Sequence, residues 1–473
     1  MISFLTSIAI LIVGYFLYGK FVEKVFGISD SNKTPAVAME DGVDYIPMSW
    51  PRIFLIQFLN IAGLGPIFGA IAGALWGPAA FLWIVLGCIF AGAVHDYFSG
   101  MLSIRHKGMS VSEIVGIYLG DKVKAVMRVF SVVLLVLVGV VFVMGPAGLL
   151  SNLTGLNSKI WIGIIIAYYL LATVLPVDKL IGKIYPLFGA SLLIMAVGIG
   201  AGIIIKGYTI PELTLANLHP KGTSIFPFLF ITIACGAISG FHATQSPLMA
   251  RCVRKESEGR RIFYGSMIAE GIIAMIWAAA SMAFFGGTEG LAATLGNGGP
   301  AVVVNEISTT ILGTVGGVLA LLGVVACPIT SGDTAFRSAR LVIADALNFN
   351  QSKTLNRFYI AIPLFAVGIA LTMIDFGIVW RYFSWSNQTL AMIVLWASAA
   401  YLAQKGKLHW ICTVPATFMT GVTTAYILQA KEGFKLAAGL SNSVGVVIAV
   451  SLLGLFLIKV KKDTNAEAEK IAA

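Results

Sequence analysis

About thirteen apolar stretches, most of them long enough to cross a bilayer, fill most of this chain, and two are interrupted in the same way. A helix in lipid satisfies its own backbone polar groups, and lipid cannot serve those that Gly or Pro sets free at its middle. One interruption reads Asn60-Ile-Ala-Gly63-Leu-Gly65-Pro66-Ile67-Phe-Gly69. The other reads Ala234-Cys-Gly236-Ala-Ile-Ser239-Gly240-Phe-His242-Ala-Thr-Gln245-Ser-Pro247. Interruptions persist where they line a cavity, and a matched pair in two halves of a chain points to a transporter's binding site. Gly69-xxx-Gly73 and Gly236-xxx-Gly240 also fit small-residue helix packing. The pairing, with Pro66 and His242 added, favours a site.

The 473 residues are 58% hydrophobic and 11% charged, where soluble proteins carry roughly 25% charged residues. The fold class is therefore an all-α polytopic membrane protein, multi-pass in the cell membrane. The net charge of +10 is read as Lys and Arg in cytoplasm-facing loops rather than as a nucleic-acid surface. Cys88, Cys235, Cys252, Cys327 and Cys412 show no zinc spacing and read as packing residues. The apolar segment from Ile2 to Tyr18 has basic residues after it and none before it, so it reads as a retained span with its N-terminus outside.

The spans are expected near 2–26, 51–75, 79–103, 126–149, 159–175, 184–205, 225–248, 262–285, 312–343, 357–374, 379–403, 408–429 and 440–460. The ninth can also begin later, behind a short outer helix. Basic residues gather after spans three, seven, nine and eleven and at the chain's end, and none lies between Arg261 and Arg337. That alternation suits thirteen spans with the N-terminus outside and the C-terminus inside. The broken spans are the second and the seventh. Five is odd, so the second five-helix unit enters the membrane upside down. The expected organisation is an accessory span at 1–27, a first repeat at 50–206 and an inverted second repeat at 224–403. Accessory helices at 404–460 and a cytoplasmic tail at 461–473 follow.

Ionisable residues inside a membrane cost on the order of 2.5–3.5 kcal/mol each on insertion scales, so those present are paired, hydrated or functional. His95 and Asp96 in span three are consecutive, about 100° apart on a helix, and are not expected to pair with each other. Asp96 either caps the inner end beside a basic residue such as Arg105 or serves ion coupling. His242 either holds the second break through hydrogen bonds or serves function, by contacting substrate or carrying a proton. Glu270 in span eight reads as a partner across helices. In span nine, Asp333 and Arg337 are four apart, which suits an internal ion pair. The sharper reading makes Thr330 and Ser331 oxygen ligands for sodium, or Asp333 a proton site.

Helix N-termini carry partial positive charge and unpaired donors. A half-helix expected to start at Pro66 and another after Gly240 would hold a substrate carboxylate between them. The candidate substrate-binding residues are Asn60, Gly63, Gly65, Ile67, Gly236, Ser239, Gly240, His242 and Gln245. The candidate coupling residues are Asp333, Thr330, Ser331 and Asp96, for H+ or Na+. No other cofactor is expected.

The segment from Phe226 to Ala243 resembles the hallmark of the carbon starvation protein A family. So do the stretches from Asp41 to Pro47, Ile61 to Pro66, Ala91 to Asp96 and Asp333 to Arg337. The resemblance runs from about residue 41 to 345. It implies a transporter similar to the amino acid–polyamine–organocation superfamily, with a LeuT-type 5+5 inverted repeat. It also implies uptake of short peptides or pyruvate during nutrient limitation, by symport with a cation. The chain is shorter than the long enterobacterial members and continues differently after His242. Thr330-Ser331 is similar to the sodium-site pair of LeuT-type carriers. Two other classes compete: an intramembrane aspartyl enzyme built on Asp96 and Asp333, and a starvation sensor without transport. Thr330 stands where the first Gly of a GxGD motif would be, and the sequence holds no HExxH or GxSxG.

Overall fold

The chain is described from a computed structural model that covers residues 1–42, 44–173, 178–351 and 353–472, with the backbone alone at 178–186, 354 and 464–472. All of its regular structure among the described residues is helical. Nine helices there are long and apolar enough to cross a membrane. The bent pair Trp50–Ile61 and Leu64–Trp76, which turns by 49°, makes a tenth span. Ser158–Ala172 is apolar but short. The broken pair Phe228–Thr232 and Phe241–Ala250, and the more polar Phe376–Gln404, bring the spans to about thirteen. The expected end of span five at 175 lies outside the described residues.

The long helix Gly299–Ala346 is two helices joined at Gly313, whose φ of 62° and ψ of −148° break it. Residues 299–312 pack beside the helix Thr288–Gly296, and span nine begins after them. Span nine thus starts within two residues of the expected 312, with the short preceding helix that the sequence also allowed. Exposed Val129, Val133, Ile160, Ile164, Val197 and Val446 give the molecule an apolar outer belt suited to lipid.

Glycine packing reveals how the two halves meet. A Cβ at Gly65 would lie 2.4 Å from Cys235 Sγ, and one at Gly69 would lie 3.3 Å from the Thr232 carbonyl. Spans two and seven therefore pass each other antiparallel. Span three runs antiparallel to span eight, with Gly92 facing Met267 and Gly100 facing Phe263. Span four does the same against span nine, with Gly139 facing Phe336 and Gly332 facing Phe142. Three successive helices each cross their counterpart five spans later head to tail. This is the geometry of an inverted repeat.

The two faces differ in chemistry. On the basic face, Arg105 forks onto Glu256 with two 2.8 Å bonds and also donates to the Gly27 carbonyl. On the other face, Glu212 accepts from the Ser3 amide at 2.8 Å, and Trp76 donates to the Thr223 carbonyl at 2.9 Å. Residues 3 and 27, at the two ends of span one, thus lie on opposite faces.

Candidate functional site

The first break is two residues long. Ala62 and Gly63 leave helical geometry, with ψ of 39° and −132°. The second half-helix begins at Leu64, not at Pro66 as expected. Pro66 lies in its first turn, where a missing N–H costs no intrahelical bond. The second break is longer. Helix Phe228–Thr232 stops, residues 233–240 run without helix, and helix resumes at Phe241. Gly236 sits at φ +86°, where a Cβ would also strike Ala274 at 2.4 Å, so the turn needs glycine.

Backbone groups freed at the second break find partners that the sequence reading missed. Asn387 of span eleven accepts the Phe241 N–H at 2.7 Å through Oδ1. Its backbone carbonyl accepts the Gly240 N–H at 3.1 Å. Its Nδ2 donates to Ser239 Oγ at 3.0 Å. Gln388 donates to the carbonyls of Phe230 and Ile233. The available signal was the polar run Ser384 to Thr389 inside an apolar span.

Behind this break lies a buried acid–base cluster. His95, Asp96, His242 and Glu270 are all fully buried. Asp96 Oδ2 is 2.7 Å from His242 Nδ1, and its Oδ1 is 2.8 Å from His95 Nδ1. The expectation that His95 and Asp96 do not pair is thus overturned. The 100° separation belongs to the Cα–Cβ directions. Both polar atoms sit two bonds beyond Cβ, and leaning side chains close the gap. Arg105 does not pair with Asp96; it is taken by Glu256. Glu270 Oε2 lies 3.3 Å from His242 Nε2, so the cross-helix contact expected of Glu270 is with His242. Ser246 Oγ donates to the His242 carbonyl at 3.0 Å and receives Gln57 Nε2 at 3.4 Å.

His242 therefore turns both ring nitrogens to carboxylates. Phe241, one residue earlier, turns instead to Phe142 of span four, with ring centroids 6.2 Å apart. A Cβ on Gly63 would meet the same Phe142 ring at 3.3 Å. The breaks thus have two sides. Gly63, Phe142 and Phe241 form one, and the acid–base cluster forms the other. Gly65, Ile67, Ser239 and Gln245 are buried, Gln245 donates to Thr244 Oγ1 at 2.9 Å, and Asn60 is half-buried at the end of the first half-helix.

In span nine Asp333 pairs with Arg337 at 3.1 Å, as the i,i+4 spacing predicts. Thr330 Oγ1 donates to the Cys327 carbonyl at 2.7 Å, which leaves its lone pairs as acceptors. Cys327 Sγ donates to the Leu59 carbonyl at 3.6 Å, so this turn of span nine abuts the first break. A narrow cleft, with room for about one water molecule, lies beside Asp333, Arg337 and Arg340. Asp96 is not part of this group; it is held by the two histidines.

A five-residue π-helical stretch, Cys88–Gly92, immediately precedes the helix that carries His95 and Asp96. Another, Leu321–Ala326, immediately precedes the helix of Thr330 and Ser331. Such turns often accompany functional sites, because they re-aim the side chains beyond them.

The model of the family described as carbon starvation protein CstA matches residues 1–152 and 144–286. A protein of Haemophilus influenzae named only as an uncharacterized membrane protein is 48% identical over 345 residues, 62% of this chain and 93% of its own length. A protein of Campylobacter jejuni named peptide transporter CstA is 27% identical and is matched over 94% of this chain and 82% of its own length. Among solved structures, MhsT in complex with L-phenylalanine superposes with a TM-score of 0.55 at 15% identity, covering 87% of this chain and 98% of that one. This last likeness concerns the fold alone, and the fold is of LeuT type.

Proposed function

This chain belongs to the carbon starvation protein CstA family, and from that premise we propose that it is a cation-coupled secondary transporter importing short peptides or a small carboxylate such as pyruvate. The observation that carries the reading is the meeting of two broken spans, face to face and antiparallel, each interrupted inside its own length. The C. jejuni relative is named for peptide transport, and neither a sensor nor an aspartyl enzyme is favoured by that name.

The substrate's carboxylate is received at the first break. The N–H groups of Gly240 and Phe241 already serve Asn387, whereas the half-helix starting at Leu64 directs its dipole and its first amides toward Gly63. Phe142 and Phe241 bound the site on the span-four side. Asn60, Gly63, Gly65 and Ile67 form its near wall, and Gly236, Ser239, Gly240 and Gln245 its far wall. His242 supports that wall from behind instead of orienting the carboxylate. Coupling uses span nine. For sodium, Thr330 and Ser331 join carbonyls freed around Ala62 to Gly65; for a proton, Asp333 carries it.

The test is uptake into proteoliposomes of labelled pyruvate and of di- and tripeptides, each under an imposed proton or sodium gradient. Accumulation of at least one of them, lost when the gradient is collapsed, is expected. Gradient-independent leak alone, or uptake confined to substrates without a carboxylate, overturns the reading.

A further inference from the structure

The acid–base cluster behind the second break holds groups that the transport reading does not use. His242 Nε2 and both oxygens of Glu270 are completely buried and make no hydrogen bond. The 3.3 Å approach of Nε2 to Glu270 Oε2 is the contact between them, and leaving a buried carboxylate without well-placed donors is costly, so such atoms are ordinarily satisfied by something. Cys235, in the unwound segment, brings its sulfur to the same spot. One ligand atom each from Cys235, His242 and Glu270 lie within 4.8 Å of one another.

Asp96 sets which nitrogen of His242 a cation can take. Its Nδ1 is 2.7 Å from Asp96 Oδ2. A carboxylate there suits Nδ1–H, so where a cation takes the place of the Nε2 proton the Nε2 lone pair faces Glu270 and Cys235. Metal-binding histidines are held in this way, by a carboxylate on the far nitrogen. Asp96 is itself fixed by His95 Nδ1 at 2.8 Å. With Cys235 bound as its thiolate, a divalent cation offsets two of the three negative charges that Cys235, Glu270 and Asp96 carry in this fully buried site.

We propose that Cys235, His242 and Glu270 bind a divalent transition-metal ion, with zinc the best match, and that Asp96 orients His242 for it. A mixed sulfur, nitrogen and oxygen set is characteristic of zinc, with ligand bonds of about 2.0–2.3 Å. The ion ties the unwound segment of span seven to span eight directly and to span three through Asp96. It is a structural pin on the break, distinct from the coupling cation assigned to span nine. Cys235 is then a ligand, not the packing residue that its spacing suggested. The inference does not rest on the transport reading.

The experiment uses the full-length chain purified in detergent without chelator, with metal content measured by mass spectrometry. About one zinc per chain is expected, falling at least fivefold in Cys235→Ser, His242→Gln and Glu270→Gln, while Cys412→Ser keeps its zinc. Cobalt loaded in place of zinc is expected to give a thiolate-to-cobalt charge-transfer band that Cys235→Ser removes. This readout on the wild-type chain and one mild variant stands even where Glu270→Gln fails to fold. Wild-type protein that binds neither zinc nor cobalt after incubation overturns the proposal and leaves the cluster as a proton-sharing network. Metal bound equally by all three variants overturns it too.

Discussion

Gly92 and Gly163 are both helical glycines, and their surroundings set opposite expectations. A Cβ at Gly92 would lie 2.2 Å from the Ala237 carbonyl oxygen, a backbone atom of the second break that cannot swing aside. Gly163 has nothing within 4 Å. Gly92→Ala is expected to cost about 1–3 kcal/mol through overpacking. Gly163→Ala is expected to gain about 0.4–1 kcal/mol by restricting the unfolded chain. Thermal unfolding in detergent reads both, and shifts of the same sign contradict the close approach of span three to the break. Asn387 gives a second case. Asn387→Ala strands the Phe241 N–H and the Ser239 hydroxyl in a buried site, at a cost of about 1–3 kcal/mol, with transport lost. Wild-type stability in this variant removes Asn387 from the support of the break. The sequence exposed the break itself, through Gly236, Gly240 and His242, but not Asn387. A break has a local signature in Gly and Pro, whereas the side chain that heals it comes from a span nearly 150 residues away.

At the scale of the element, the breaks and their spacing were legible because lipid forbids them elsewhere. The π-helical stretches were not, since one extra residue per turn leaves no mark in composition. They matter for span nine. The stretch Leu321–Ala326 sets the facing of the turn from Cys327 to Asp333, which rests on the Leu59 carbonyl. If this turn carries the coupling ion, Asp333→Asn abolishes gradient-driven accumulation of substrate in proteoliposomes while exchange across the membrane continues in part. The Arg337 partner complicates the reading, because Asp333→Asn also breaks an ion pair. Arg337→Gln separates the two effects. It breaks the same pair yet is expected to keep accumulation. Accumulation that survives both Asp333→Asn and the double change Thr330→Ala, Ser331→Ala makes the cluster structural.

For the whole molecule, sidedness is expected from charge, and the basic face is where the end of span one meets spans three, eight and eleven. Glu256, 1% exposed, accepts both bonds of Arg105 and the Ser29 amide at 2.9 Å. Arg105 also reaches the Gly27 carbonyl and Tyr401 Oη, and Lys407 donates to the Phe26 carbonyl. Asp30 accepts from the Ser257 amide at 3.0 Å. One carboxylate thus holds the end of span one, the end of span three, the start of span eight and, through Arg105, span eleven. Glu256→Gln keeps the shape and removes the charge. Arg105 keeps a share of its solvation, being 24% exposed on its side chain, so the loss is expected near hydrogen-bond size, about 1.5–3 kcal/mol. The segment from Gly27 to Ser49 is then freed, and it carries a trypsin site at Lys33. In inside-out vesicles the wild-type chain should be cut there slowly and Glu256→Gln several times faster, with neither cut in right-side-out vesicles. Cleavage at Lys33 from the outside would reverse the topology and, with it, the inside placement of every basic loop. Equal rates in the two proteins would mean that the accessory span is held by its packing, not by Glu256.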